Sequence, residues 1–579
     1  MQAIESRQGG GEVLRRPAAA DAAGQGRQQG RMPRSVTLAV IATVGLGLLV
    51  RAGRVLSDDF PLNDGGLFYA MVRDLQRAHY HLPDVTSYNA AGIPFAYPPL
   101  GFYLAGLLDD LTPLDLTTIF RFLPLAATTL TIAAQFLLAR ALLPSLWAAV
   151  AATVAFALLP RSFIWLVMGG GITRAPGLLF AVLALWRLHR FYTHRQARDV
   201  PLVAFLAGAT VLSHLEAGLF LAASGALLFL VYGRHRRGLL GSLLIAVGAA
   251  ALAAPWWGMV MVQHGIAPFL AAHDTGPSAF SDRGTAVVVL ITLARLGVLG
   301  TTGEPLFPVI GAMALLGGLV TLADAVAALA SRRRPPATLL LPAWWVATYV
   351  LDPRAAETYA TVPIALLAGI GSVALLTLLV ERVPSARPWP ALAGAGFLLG
   401  YAVLALLLIL VRPARSGQGS DLVSLSQDER ATMAWVARET PPTSRFLIVS
   451  GASWQSDRSS EWFPVLAQRV SVATPQGYEW ISNVAFAQHV ALHTGVQQCA
   501  GKDAACLEPW VAPLAVNYLY VHTGAACCAV AQSLAADPRY ALVYDRGGTQ
   551  IFARREGVPA ASGPADRDGS TVRSRTGYR

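Results

Sequence analysis

The sequence predicts an α-helical polytopic membrane protein, about eleven transmembrane helices long, with a small extracytoplasmic α/β domain at its C-terminus. Three observations predict it. Of 579 residues, 54% are hydrophobic and only 14% are charged, whereas a soluble globular chain is about 25% charged. The mean hydropathy is +0.49. The basic residues are arginines apart from Lys502, and they stand in short clusters between apolar runs. That spacing is the positive-inside pattern of cytoplasmic loops and not the continuous basic stripe of a nucleic-acid-binding surface. A disordered chain, a coiled coil and an ordinary soluble enzyme are excluded on composition.

Taken in order, residues 1–34 are Gly, Ala, Gln and Arg with little apolar content and read as a disordered cytoplasmic tail. The run 35–50 follows a leader too long, and without the small-residue site, for a cleaved signal peptide, so it reads as a signal anchor with the N-terminus inside. Further apolar runs occupy 116–139, 146–168, 173–193, 200–215, 217–232, 239–260, 305–329, 337–351, 358–380 and 390–411. Counted this way, Arg140, Arg187–Arg198, Arg234–Arg237, Arg332–Arg334 and Arg382–Arg387 all fall inside, and the C-terminus falls outside. The transmembrane part is then 35–412, in a multi-pass plasma-membrane protein. The runs 200–215 and 217–232 are short, reaching roughly 24 Å of a roughly 30 Å hydrocarbon core. Residues 284–300 are apolar but would break the arginine count, so they read as an interfacial helix in an outer loop.

The first outer loop, 51–114, is long and carries more aspartates than arginines. Leu67, Met71 and Leu75 have helical spacing, so 65–78 reads as an amphipathic helix on the membrane face. A second interfacial helix over 99–111 follows the turn Tyr97-Pro98-Pro99. Other outer turns hold Gly169-Gly170-Gly171-Ile172-Thr173-Arg174, His214 with Glu216, His273 with Asp274, and Asp352-Pro353-Arg354. Ionisable groups at helix ends are costly unless they face a polar cavity, so one water-filled cavity on the outer face is expected. The glycine turn lacks a preceding strand and GxGxxG spacing and is no nucleotide loop. Trp256 and Trp257 read as interfacial belt aromatics.

From 413 to 553 the composition is that of a soluble α/β domain, and 554–579 reads as a disordered tail. Ser426–Arg438 reads as a helix with Ser426 and Glu429 as a capping box. Strands are expected at Phe446–Ser450, Tyr518–His522, Tyr540–Tyr544 and Gln550–Ala553, with a helix at Cys528–Ala535. All four cysteines, Cys499, Cys506, Cys527 and Cys528, lie here, which fits an oxidising compartment. A bond between the adjacent Cys527 and Cys528 would be strained, so each is expected to pair with Cys499 or Cys506. Zinc is the rival reading, but no pair has CxxC spacing, and His489, His493 and His522 show no ligand rhythm.

The stretch Asn63-Asp64-Gly65-Gly66-Leu67-Phe68-Tyr69 and the later Tyr97-Pro98-Pro99-Leu100 resemble the first-loop motifs of the GT-C membrane glycosyltransferases. These include oligosaccharyltransferase catalytic subunits, protein mannosyltransferases and bacterial aminoarabinose transferases. The likeness covers 35–140 by motif and the rest by layout. It implies a hexosyl or pentosyl transferase in the bilayer that uses a polyprenyl-phosphate-linked sugar and a glycan or protein acceptor of the cell envelope. In such enzymes the first-loop acid is metal ligand or general base, and Asp64 is the position that matches. Asp58 and Asp59 are second choices. Basic residues in the outer turns hold the lipid phosphate, and Arg354 and Arg174 occupy such turns. The resemblance departs at the glycine turn, where oligosaccharyltransferases carry a DxD-like acidic motif and this chain has no carboxylate. Transfer without a metal, or an Mg²⁺ or Mn²⁺ ion held with His214, Glu216 or Asp274, are the routes left open, as is a GT-C-like protein without transferase activity.

Elementary chemistry asks for the same parts. A base or metal must stand beside the acceptor hydroxyl, and cations must stabilise the departing phosphate. Each candidate also has a plainer reading. Asp64 is a good N-cap for a helix starting at Gly65, Asp58 and Asp59 are solvated loop residues, and Arg354 is a snorkelling interfacial arginine. A transporter or flippase for a lipid-linked saccharide is the alternative from another class; it calls for repeats or midplane charges, and the sequence shows neither.

Overall fold

The structure is a computed structural model and describes residues 32–274, 307–351, 355–382, 423–524 and 527–555, together with 396, 400 and 403. The expected interfacial helix 284–300, the run 390–411 apart from those three residues, and Arg354 lie outside the described residues. The fold is that of a polytopic helical membrane protein with a small C-terminal sheet. Seven described helices are long and apolar enough to cross a bilayer, and Leu146–Leu158, Asp199–Ser213 and Ala337–Leu351 are shorter apolar ones. They match ten of the eleven expected runs in position.

In chain order the helices of the first half are α1 Arg34–Leu56, α2 Gly66–Arg77, α3 Leu100–Leu111, α4 Leu116–Leu142, α5 Leu146–Leu158, α6 Gly171–His194, α7 Asp199–Ser213, α8 Leu215–Leu228 and α9 Arg236–His264. Then follow α10 Ala267–Asp274, α11 Phe307–Ala330, α12 Leu340–Leu351 and α13 Thr361–Arg382. The bundle core is made by α4, α5, α6 and α13, whose Ile132, Phe156, Leu185 and Leu366 are fully buried.

Two boundaries differ from the sequence reading. The run 146–168 does not continue as one helix: α5 stops at Leu158, Leu159 is extended, and a short 3₁₀ turn Pro160–Ser162 follows. Pro160 lacks an N–H and biases the residue before it away from helix, a break that the apolar composition conceals. Conversely α1 runs past residue 50 to Leu56, so Arg51 is not the first residue of the loop but a buried side chain of the helix. Arg51 donates to the carbonyl of Ala157 (2.7 Å) and to Ser162 Oγ (3.0 Å), and stacks on Phe163 at 4.5 Å. It thereby serves the orphan carbonyls at the broken end of α5, where the helix dipole is negative.

The C-terminal part is α14 Gln427–Glu439, β1 Arg445–Val449, α15 Arg458–Leu466, β2 Val470–Ser471, α16 Asn483–Gln497, β3 Tyr518–His522, α17 Cys528–Ala536, β4 Tyr540–Arg546 and β5 Thr549–Arg554. The capping box of Ser426 and Glu429 on α14 is formed as expected. Strand order is β2-β1-β3-β5-β4, parallel across β2-β1-β3 and antiparallel from β3 onward. Residues alternate across the sheet, as the pleat requires. Leu447, Val449, Leu519 and Val521 face one apolar layer. Phe446, Ile448, Tyr520 and Ile551 face another, which they share with Met71 and Leu75 of α2 and Phe102 of α3.

The first loop is therefore not a surface strap. Its helix α2 does form at the expected place, but its apolar stripe lies against α3, α15 and this sheet face rather than on a membrane face. Trp256 is likewise 3% exposed and packs edge-on against Phe269, so it is no belt residue. Polar contacts fasten the same seam. Tyr88 Oη donates to the Glu461 carbonyl (2.7 Å), Trp462 Nε1 donates to the Asn63 carbonyl (3.1 Å), and Asn89 pairs through both amide atoms with the backbone of Ser471 (2.8 Å each).

Candidate active site

Asp64 stands where the first loop, the start of α6 and the start of α15 meet. Asn63 and Gly65 both have positive φ, 50° and 131°. These two reversals turn Asp64 away from the helix that follows it. Its Oδ1 accepts from the backbone N–H of Gly170 (2.9 Å), and its Oδ2 is paired with Arg174 Nη2 at 2.7 Å. The approach is close: a Cβ on Gly169 would fall 1.8 Å from the Asp64 carbonyl oxygen, so the glycine turn serves to admit the first loop. Arg174 is also held over Trp165, 4.6 Å from the ring centre, and donates to the Trp165 carbonyl (3.4 Å).

The expectation that Asp64 caps the helix is corrected. The N-cap position is Gly65, and the carboxyl group that serves the helix N-terminus is that of Glu461 of α15. Its Oε1 accepts from Gly65 N (2.8 Å) and Gly66 N (3.2 Å). Burial, and after it the neighbouring Asp64 charge, push the Glu461 carboxyl up to about 8. Two carboxyl groups from residues almost four hundred positions apart thus lie within electrostatic reach of one arginine. Sequence reasoning missed Glu461, because within Asp457–Leu466 it reads only as an ordinary acid in a first helical turn.

His214, between α7 and α8, is 5% exposed and closes the other side of the cluster. Its Nδ1 lies 3.4 Å from Tyr359 Oη and 4.0 Å from Glu216 Oε2. Its ring sits edge-on to Trp165 (5.7 Å) and near Tyr97 (6.1 Å). Tyr97 in turn packs against Phe68 and Trp480, and both Tyr97 and Glu216 lie within electrostatic reach of Arg174. Of the residues named from sequence, Asp64, Arg174, Tyr97, His214 and Glu216 therefore converge.

The others are elsewhere. Asp58 Oδ1 accepts from Ser424 Oγ (3.0 Å), and Asp59 is 2.6 Å from Arg430, so both tie the first loop to the C-terminal part. His273 is exposed on α10; the side chain of Asp274, like Arg354, is not among those described. The four-cysteine disulfide expectation is corrected too: Cys499 is bonded to Cys506, while Cys527 is buried and free and Cys528 exposed and free. Cys499 lies just past the end of α16 and the turn after it brings Cys506 back, whereas Cys527 Sγ faces the Val449 carbonyl in the sheet core and Cys528 Sγ faces its own turn.

Among the described residues no three His, Cys, Asp or Glu side chains converge as a metal-ligand set. The Asp64 carboxylate is met by donors rather than by further acidic ligands. A guanidinium already stands against one carboxylate oxygen and a peptide N–H against the other. The place where the sequence lacks an acidic motif is filled by a cation.

A family model described as dolichyl-phosphate-mannose-protein mannosyltransferase matches residues 96–258. No curated protein matches the sequence. Among solved structures, the chain is similar to the archaeal oligosaccharyltransferase AglB from Archaeoglobus fulgidus, in complex with an inhibitory peptide and a dolichol-phosphate. That likeness has a TM-score of 0.54 at 15% identity and covers 91% of this chain and 75% of that one. It is also similar to the arabinofuranosyltransferase AftD from Mycobacteria, with a TM-score of 0.55 at 17% identity, over 91% of this chain and 42% of that one. At these identities the likeness shows the fold alone: this chain shares the GT-C fold of those two proteins.

Proposed function

We propose that the protein is a membrane glycosyltransferase that moves a sugar from a polyprenyl-phosphate donor to a hydroxyl-bearing acceptor of the cell envelope, without a metal ion. The observation that carries this reading is the Asp64–Arg174 pair, 2.7 Å apart and with 18% and 12% of its side chains still exposed. A catalytic acid–cation pair that incoming groups can separate supplies both charges the reaction needs. The lipid phosphate takes Arg174, which neutralises it as the bond from the anomeric carbon to the phosphate oxygen breaks. The acceptor oxygen attacks the anomeric carbon, and its proton passes to Asp64 as Arg174 turns to the phosphate. Tyr97, Trp165 and the His214–Glu216 pair line the space and exclude water. The multi-pass bundle keeps the lipid in the bilayer, with the N-terminus cytoplasmic and the site on the outer face.

The test is transfer by purified protein from a panel of polyprenyl-phosphate pentoses and hexoses to an envelope glycan extract. Asp64→Asn should lower the rate by roughly 10²–10⁴-fold. Arg174→Gln should weaken binding of polyprenyl phosphate itself, read separately from turnover. Full activity of Asp64→Asn on any donor the native protein uses would sink the proposal. A rate for the native protein that rises with added Mg²⁺ or Mn²⁺ and vanishes in chelator would sink its metal-free form.

A further inference from the structure

A groove runs along the seam between the first loop and the C-terminal sheet, away from the residues around Asp64. It consists of two cavities, of about 580 Å³ and about 350 Å³, that meet at Asn89, Ala90 and Val470. Each is in the range of ordinary small-ligand pockets, and together they form an elongated site. The floor is rigid, because Asn89 and Ala90 both have positive φ and the Asn89 amide is bonded to the Ser471 backbone in both directions.

The walls are cationic. Arg73, Arg77 and Arg469 line the first cavity, and Arg445 lines the second. Two of the four have carboxylate partners: Arg73 with Asp109 (2.8 Å) and Arg77 with Asp74 (3.2 Å). Asp74 is already shared, since it accepts from Thr86 Oγ1, Ser87 N and Ser87 Oγ. Arg469 and Arg445 have no carboxylate partner among the described residues. Arg469 is held by the carbonyls of Ala437, Thr440 and Gln468, and Arg445 by that of Leu514. Arg77 keeps 70% of its side chain exposed. The groove thus holds a surplus of positive charge, with guanidinium donors unspent in each cavity. The second cavity also has a flat aromatic wall, where Tyr478 and His489 stack with ring centres 3.5 Å apart and planes 19° from parallel.

We propose that this groove binds an anionic oligosaccharide. Its carboxylate or phosphate groups engage Arg77 in the first cavity, beside the fixed charge of Arg469, and Arg445 in the second, with a sugar ring on the Tyr478–His489 stack. A planar fork of N–H donors suits such oxyanions, and the aromatic face suits the C–H face of a pyranose. A single small anion reaches only one cavity; a ligand that uses both arginines has to extend past the shared lining at Asn89, and this requires a chain. The proposal concerns binding and stands apart from transfer at Asp64.

The experiment is titration calorimetry on the full-length protein in detergent, with tetragalacturonate and a heparin tetrasaccharide as anionic probes. Maltotetraose is the neutral control, and inorganic phosphate and a tetraglutamate peptide are the others. At least one anionic saccharide should bind, with affinity falling as salt rises. Arg77→Gln and Arg445→Gln should each weaken that binding by roughly tenfold, with an unchanged melting temperature to show that the fold is intact. Arg77 is exposed and Asp74 keeps its other partners, so at least that variant should fold. Asp64→Asn should bind the saccharide as the native protein does. The proposal is overturned if neither anionic saccharide binds at millimolar concentration, if maltotetraose, phosphate or tetraglutamate binds as tightly, or if both arginine variants bind unchanged.

Discussion

Asp64 with Arg174 and Asp457 with His493 are two carboxylates in different settings, Asp64 paired with a guanidinium and part-buried, Asp457 bonded to an imidazole and buried. Asp457 and His493 are each 1% exposed. Asp457 Oδ2 accepts from His493 Nε2 (2.8 Å), Ser450 Oγ (2.8 Å) and Ser460 Oγ (2.6 Å), and Oδ1 accepts from Ser460 N (3.0 Å). Every one of those donors belongs to the C-terminal part. Asp64 has two partners, both from the turn into α6, and keeps 18% of its side chain exposed. The Asp457 pair is a closed knot that nothing can enter. The Asp64 pair is a junction that an acceptor hydroxyl and a phosphate can open. Burial of a partnered carboxylate is therefore not itself a mark of a site, since buried pairs are often neutral for stability. What marks Asp64 is convergence of separate elements on a carboxylate that remains within reach.

The largest effect should separate the pairs by type of loss. Asp64→Asn should abolish most transfer, by roughly 10²–10⁴-fold, while costing about 1.5–3 kcal/mol of stability for the lost charge-assisted bond to Arg174. Asp457→Ala should do the reverse. It should cost about 3–5 kcal/mol, read as a lowered melting temperature, and leave the rate unchanged at temperatures where the protein is folded. A variant at Asp457 that lost activity while keeping its melting temperature would break the comparison.

The knot should also set an acid limit. Burial raises the Asp457 carboxyl, but the bonds from His493 and Ser460 outweigh it and hold the group below its usual value. A carboxylate depressed in the folded state contributes stability above its unfolded pKa of about 3.9 and loses it as pH falls through the folded value. The melting temperature of the native protein should therefore drop on acidification below about pH 4, and Asp457→Asn should remove part of that slope.

Glu461 should behave in the opposite sense. Its carboxyl is raised to about 8, so the folded protein holds a proton that the unfolded chain loses above about pH 4.3. Stability should fall as pH rises from there to about 8, because the folded state binds more protons than the unfolded one in that interval. Glu461→Gln cannot ionise and keeps an oxygen for Gly65 and Gly66. It should flatten that decline, raising the melting temperature at pH 8 while changing it little at pH 4. A decline as steep in Glu461→Gln as in the native protein would assign it to another group.

Much of this molecule was legible in its sequence because the bilayer leaves few choices. Helices are imposed on apolar runs that must satisfy their own backbone, and ten of the eleven expected runs are helical in the described residues. Strands β3, β4 and β5 were legible by alternation. Asp64, Arg174, His214, Glu216 and Tyr97 were legible as polar groups at neighbouring helix ends, where charge is costly. What escaped was set by contacts across the chain. Glu461 replaces Asp64 as the helix cap only because α15 docks on α2. The cysteine pairing depends on which way Cys527 faces in the sheet core. The end of α5 turns on one proline inside an apolar run, and β2, two residues long, has no pattern of its own.

The smallest effect concerns Asp59, which the sequence places beside Asp64 and the structure turns outward. Both its oxygens accept from Arg430 Nη2, at 2.6 and 2.7 Å. Arg430 holds the Asp59 carboxyl below its usual value. Arg430 also lies over the Phe60 ring, 4.9 Å from its centre, so it stays in place without the ion pair. Asp59 is 68% exposed, where water screens the attraction and exposed pairs contribute about 0.2–1 kcal/mol. Asp59→Asn should therefore shift the melting temperature only slightly, less so as salt is raised, and should leave transfer intact. Arg430→Ala should cost more, since it removes the contact with Phe60 as well. If Asp59→Asn instead lowered transfer as Asp64→Asn does, the acid that serves the acceptor would have to be sought at this outer pair, and the distinction between reach and closure would no longer locate the site.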